Sequence, residues 1–196
     1  MNDIDEQLKN ISEMRTMMER SSKFLSLSGL SGISAGIVAI IGAGFANVRL
    51  HEAYGENIER SLLINACLML ITAFGLAIFF SSRMAQKKNL PVWNHTTKYL
   101  LGSLFVPLSA GGTLCLILWY HGMVILVGPL TLIFYGLALL NISKYTLKEV
   151  QYLSIAEIVL GLLASVYLGS WLLFWALGFG VLHVAYGIFM YVKYEK

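Results

Sequence analysis

The stretch SLLINACLMLITAFGLAIFF, residues 61–80, decides the fold. It contains no charged side chain, and a helix of that length rises about 30 Å, the thickness of a bilayer's hydrocarbon core. Working outward, comparable apolar runs occupy residues 24–48, 97–120, 122–141, 151–168 and 170–192. The expectation is six transmembrane helices. At His121 and at Gly169-Ser170 the apolar character barely breaks. A helix of about 40 residues would overshoot one bilayer, so a tight turn is expected at both places.

The composition excludes the main alternatives. Of 196 residues, 57 % are hydrophobic and only 13 % are charged, against about 25 % charged in a soluble domain. The mean hydropathy is +0.70. A soluble enzyme, a disordered chain and a disulfide scaffold are all inconsistent with these values. Cys67 and Cys115 each lie inside an apolar run without CxxC spacing, so both are expected as small core residues. No cofactor or metal motif is present, and Gly42-Ala43-Gly44 lacks the third glycine and the preceding strand of a dinucleotide fingerprint.

Charge gives the expected orientation. The N-terminal arm, the loop over 81–98, the loop over 142–150 and the tail together carry twelve Lys and Arg residues. The opposite side carries two, Arg49 and Arg60. Carrying basic loops across a membrane is costly, so both termini are expected in the cytoplasm and the number of spans must be even. That is the topology of a multi-pass inner-membrane protein, with the lipid bilayer as its first partner. The net charge of +3 belongs to these loops, so no nucleic-acid partner is expected. The first 23 residues mix five acids with four bases, unlike the short basic start of a cleavable signal peptide.

Three regions are expected: a cytoplasmic amphipathic arm over 1–23, a six-helix transmembrane bundle over 24–192, and a cytoplasmic tail over 193–196. In the arm, Ile4, Leu8, Ile11, Met14 and Met18 fall on one helical face. That face could dock a cytoplasmic protein at residues 1–20 or a second copy of the chain. It could equally lie along the membrane interface, although its acid content is unlike that of helices drawn to anionic lipid.

The even-numbered spans share a pattern. Phe74-Gly75-Leu76-Ala77, Tyr135-Gly136-Leu137-Ala138 and Tyr186-Gly187-Ile188-Phe189 each put an aromatic, a glycine and an aliphatic residue ahead of a base, at Arg83, Lys144 or Lys193. A weaker echo links Ser34-Ala35-Gly36 with Ser109-Ala110-Gly111. Three helical hairpins in one orientation would produce this pattern. In a composition this rich in glycine and aromatics, chance would also produce it.

The run FYGLALLNISKYT, residues 134–146, with LFWALGFGVLH, residues 173–183, resembles a group of uncharacterised six-helix inner-membrane proteins of Bacteroidota-type bacteria. That resemblance implies the six-span fold and no particular activity. The three-hairpin scheme is also similar, in outline, to the small acid-resistance membrane protein family. The acidic N-terminal arm is not part of that outline.

Helices in lipid associate by close packing of small residues. Ser28, Gly32 and Gly36 make one small-residue ridge on the first span, and Ala35, Ala39 and Ala43 make a second. Gly136 and Gly187 are the corresponding packing candidates on later spans. Glu157 is the only acid well inside a span, and such a residue usually meets a partner or a hydrated cavity. His183 lies at a similar depth on the next span, so the two could pair structurally, form a proton or ion path, or not touch. Pro107 removes a backbone donor ahead of Ser109-Ala110-Gly111-Gly112, as in the broken helices that line transporter sites. A simple packing kink is the alternative. Asn65, Tyr135 and Asn141 are further polar groups expected to face inward. His51, Glu52 and Glu56, in an outer loop with Tyr54 and Glu59, could hold a metal loosely through two carboxylates and an imidazole, but they fit a solvated loop better.

With one carboxylate in the spans and no catalytic constellation, an enzyme is not expected. The leading expectation is a small transporter or channel-like protein for a proton, ion or small solute. Candidate path residues are Glu157, His183, Tyr135, Asn65, Pro107 and Ser109, and a homodimer would help so few helices enclose a path. The other expectation is a membrane scaffold or stress sensor that recruits a cytoplasmic partner through its N-terminal helix.

Overall fold

A computed structural model describes residues 28–52, 58–88 and 95–196, with Gln7 and Ile11 as isolated positions. The rest of the expected amphipathic arm lies outside the described residues, as do Tyr54 and Glu56. Five long helices are α1 (Gly29–Glu52), α2 (Ile58–Lys87), α3 (His95–Tyr120), α4 (Val127–Ile142) and α5 (Lys148–Val166). The last span joins α6 (Trp171–Trp175) to α7 (His183–Tyr194) through a π-helical segment, Ala176–Leu182. No strand occurs among the described residues.

Six helical segments among the described residues are long and apolar enough to cross a membrane: Gly29–His51, Arg60–Lys87, Thr97–Tyr120, Val124–Tyr145, Lys148–Val166 and Leu168–Tyr194. They match the six runs expected from sequence, with shifted ends. The second is the most extended. Its helix has 30 residues and rises about 45 Å, so its polar end at Arg83, Gln86 and Lys87 overshoots a hydrocarbon core.

Both soft boundaries are turns. After α3, Gly122 adopts φ +74°. Met123 N–H bonds to Leu118 O at 2.8 Å and Gly122 N–H to Trp119 O at 2.9 Å, a Schellman stop that favours glycine. After α5, a single 3₁₀ turn over Leu168–Ser170 reverses the chain, and Ser170 N–H bonds to Tyr167 O at 2.9 Å.

The order of helices in space follows their small residues. α1 packs on α2 on one side and on the last span on the other. α4 packs between α3 and α5, and the last span also touches α5. Along the contact between α1 and the last span, a Cβ on Gly29 would strike the backbone of Gly187 and Tyr191, and one on Gly36 would lie 2.6 Å from Gly180 O. A Cβ on Gly32 would lie 3.1 Å from Gly187 Cα. The two backbones therefore nearly touch, which is how membrane helices gain dispersion contacts without a hydrophobic drive. Gly136 plays the same part between α4 and α5, where a Cβ would sit 2.8 Å from Ser154 O.

A compact apolar cluster of Leu100, Leu139, Ile142, Val150 and Leu153 fills the space at one end of α3, α4 and α5. Tyr135, Leu182 and Tyr186 pack against it. The outward faces carry large apolar side chains, such as Ile41, Leu70, Ile71, Phe74 and Phe105. Around a multi-pass bundle these are the residues that meet lipid.

Cys67 departs from its expected core position: it is exposed, while Cys115 is half-buried. No residue in the most apolar stretch of α2 is buried, because α2 packs chiefly on α1 and presents the rest of its circumference outward. Apolar character marks a residue as compatible with lipid, and does not by itself make it core.

Candidate functional site

Glu157, His183 and Tyr135 converge where α5, the last span and α4 meet. Glu157 has 0 % exposure and His183 has 6 %. The site is built by three glycines. Gly161 and Gly136 let α4 and α5 close on each other: a Cβ at Gly161 would lie 2.9 Å from Ile133 N, and one at Gly136 would lie 3.0 Å from Ile158 N. On the facing span, Gly178 makes room for the acid. A Cβ there would stand 2.6 Å from Glu157 Oε2 and 2.5 Å from Leu132 Cδ2.

The π-helical segment directs the histidine. His183 closes that segment, and its Nδ1 lies 3.0 Å from Gly178 O, the carbonyl five residues back. A carbonyl can only accept, so Nδ1 carries the proton. The same nitrogen lies 3.3 Å from Glu157 Oε1, within ion-pair distance. Its N–H is directed at Gly178 O, so neither Glu157 oxygen has a hydrogen-bond partner among the described residues. On the other side of the ring, Nε2 lies 2.8 Å from Tyr135 Oη. With Nδ1 protonated, a neutral imidazole accepts at Nε2 from the tyrosine hydroxyl, and an imidazolium donates to it. Either way Tyr135, His183 and Glu157 form one connected line.

Aromatic rings wall this line. The Phe179 ring centroid lies 5.0 Å from that of Tyr135 and 5.9 Å from that of His183, and Trp175 packs on Phe179 at 4.9 Å. Trp175 Nε1–H donates to Thr131 Oγ1 at 3.1 Å, which fixes the indole. Tyr186 Oη, nearby on the last span, is buried without a hydrogen-bond partner among the described residues.

The other sequence candidates lie elsewhere. Asn65 Nδ2 donates to Gly42 O at 3.0 Å and links α2 to α1. Asn141 Nδ2 donates to Ser103 O at 2.8 Å and links α4 to α3. Pro107 sits inside α3, which continues unbroken around it, and the exposed Ser109 bonds back to Val106 O at 3.0 Å. Ser109, Val106, Ala110, Thr113, Leu114 and Ile117 line a shallow concavity of about 440 Å³ on α3. His51 Nδ1 bonds to Asn47 O at 2.8 Å, within its own helix. No group of three or more metal-ligating side chains is found among the described residues. Sequence reasoning missed Gly178, Phe179 and Trp175. The signal was the Trp-Ala-Leu-Gly-Phe-Gly run one turn ahead of His183, which reads as ordinary span composition.

Fold and site together define the class: an all-helical, multi-pass membrane-type bundle with a buried carboxylate–imidazole–phenol line between its helices. No protein-family model, curated protein sequence or solved structure matches the chain.

Proposed function

We propose that this chain is a small membrane transporter or channel-like protein that moves a proton, an ion or a small solute through the region of Glu157. The observation that carries the reading is a carboxylate at zero exposure, inside a candidate span, with no directed hydrogen bond to either oxygen among the described residues. Burying such a group costs several kcal/mol, and replacing it by an apolar side chain would remove the cost. A carboxylate kept at such a place usually serves a pathway.

In this reading the helices form three hairpins in the inner membrane with both termini in the cytoplasm. The twelve-to-two split of Lys and Arg supports that orientation. Glu157 then lies six residues, about 9 Å, from Gln151 at the cytoplasmic side. A homodimer completes the proposal, with α2 and α3, the least buried spans, free to face a second copy.

The test is reconstitution of purified protein into liposomes, with flux followed for protons, alkali cations and small solutes. Wild type is expected to exceed empty vesicles, with the excess lost in Glu157→Gln and reduced in His183→Ala. Flux equal to that of empty vesicles for every solute would sink the reading. Unchanged flux with lowered stability in the variants would reduce the pair to a structural contact.

A further inference from the structure

We propose that the cargo of the Glu157 site is a single proton, held by Glu157 and His183 as one unit; this rests on the transport reading above. Three observations carry it.

The first is space. Glu157 Oε2 occupies the volume that a side chain at position 178 would take, and Leu132, also at zero exposure, closes the same gap. An alkali or divalent cation would need its own volume beside that oxygen. A proton adds one bond and almost no volume.

The second is the donor set. A hard cation takes about six oxygen ligands. Here the carboxylate is joined by Gly178 O, which already accepts from His183, and Tyr135 Oη, which is engaged with Nε2. Ser154, buried on the same helix, donates to Gln151 O at 2.7 Å. The oxygens near Glu157 are thus few and committed. Its own two remain open, and they are enough for a proton.

The third is charge. With one exchangeable proton the pair is neutral overall, as carboxyl with imidazole or as carboxylate with imidazolium. Without that proton it carries one negative charge. Glu157 is at zero exposure, and an unpaired buried charge is far more costly than a neutral pair. Among the described residues, the surroundings supply no cation to replace the proton. α4 contributes Tyr135 and the last span contributes His183 and Tyr186. α5 contributes Glu157 itself and, at its far end, Glu149, which is paired with Lys193 at 2.6 Å. α1, packed on the π segment, has no titratable side chain between Ser28 and Val48.

Loading then balances simply. An O–H bond of hydronium breaks, an O–H bond forms on a Glu157 oxygen, and water leaves. Release on the other side reverses the step. His183 Nδ1–H and Gly178 O keep the ring fixed throughout, so His183 acts as the partner that shares the proton's charge.

The experiment uses full-length protein in liposomes containing a trapped pH indicator, with valinomycin and potassium compensating charge. Proton flux is expected at least ten times above empty vesicles, unchanged when external sodium is replaced by choline, and reduced to background in Glu157→Gln. Infrared spectra of the wild type are expected to show a buried protonated-carboxyl band or an imidazolium band, either of which shifts in D2O. Sodium, potassium or guanidinium flux that requires Glu157, with the pH gradient untouched, would overturn the proton assignment and leave the transport reading standing. Absence of any flux would overturn both. If Glu157→Gln does not fold, His183→Gln and the wild-type spectrum decide. Proton flux with neither a protonated-carboxyl band nor an imidazolium band at any pH, or undiminished in His183→Gln, overturns the shared-proton unit.

Discussion

The carboxylate of Glu157 lies in the space that Gly178 leaves open by having no side chain. One helix supplies the acid and the facing helix supplies its recess, so the two positions must change together. Gly178→Ala would press a methyl group onto Glu157 Oε2 and Leu132 Cδ2, both enclosed at zero exposure. Overpacking of this kind costs about 1–3 kcal/mol. Glu157→Ala frees the recess, so the double variant is expected to lose less than the sum of the two singles. Thermal unfolding in detergent micelles measures all three, and additive losses would refute the complementarity.

Two sets of glycines are expected to respond differently to alanine. Gly187 faces backbone on the first span: a Cβ there would strike Ile33 N and lie 2.6 Å from Gly29 O. Backbone atoms cannot step aside, so Gly187→Ala forces the helices apart and is expected to cost about 2–4 kcal/mol, since the van der Waals contacts of a whole crossing are loosened. A Cβ at Gly75 or Gly112 would meet nothing within 4 Å among the described residues. Alanine at either should be neutral or stabilise by up to about 1 kcal/mol through helix propensity. Midpoint temperatures in one detergent would separate the groups, and a stable Gly187→Ala would contradict the close crossing.

The same contrast shows what the sequence could and could not tell. Span number and approximate ends were legible because lipid solvation acts on every residue of a long run. The tight turns near His121 and Gly169 followed from length alone. Glu157 and His183 stood out in the sequence because each is the only group of its kind in its span. Their contact with Tyr135 was not, because it depends on rotation of three helices about their axes. The repeated aromatic-glycine pattern does not predict environment either: Gly136 and Gly187 are packed against neighbours and Gly75 stands open. Pro107 suggested a packing kink more than a broken helix, and α3 runs through it. The π segment at Ala176–Leu182 had no sequence signal beyond two glycines, which also occur in regular spans.

Two asparagines are expected to act as glue. Asn141 reaches Ser103 O on α3, and Asn65 reaches Gly42 O on α1. α2 and α3 are the least buried spans, so each of these bonds ties an outer helix to the bundle. Interhelical hydrogen bonds in membranes contribute about 0.6–2 kcal/mol. Asn141→Leu and Asn65→Leu should each lose that amount, and the losses should add because the sites share no partner. A stabilised Asn65→Leu would mean that its hydrogen bond does not hold α2.

Near the C-terminal end of the last span, Glu195 meets the start of α1. Gly29 N–H donates to Glu195 Oε1, and Ser28 Oγ lies 3.4 Å from Glu195 Oε2. The first turn of a helix has unsatisfied N–H groups and a partial positive charge, so a carboxylate there acts as a cap borrowed from the other end of the sequence. One and two residues earlier, Tyr194 Oη and Lys193 Nζ both donate to Glu149 Oε1, at 2.9 and 2.6 Å. The tail thus fastens α1 and α5 to the last span at one face of the bundle. Glu195→Gln keeps the shape and removes the charge, and is expected to cost about 0.5–1 kcal/mol. The loss should shrink in high salt, which already screens the interaction in the wild type. Lys196→Gln, at an exposed position beyond the cap, is the control and should leave the midpoint unchanged. Hydrogen exchange gives the local readout: protection of the first turn of α1 should fall in Glu195→Gln and hold in Lys196→Gln. Equal protection in the two variants would show that the cap does not operate.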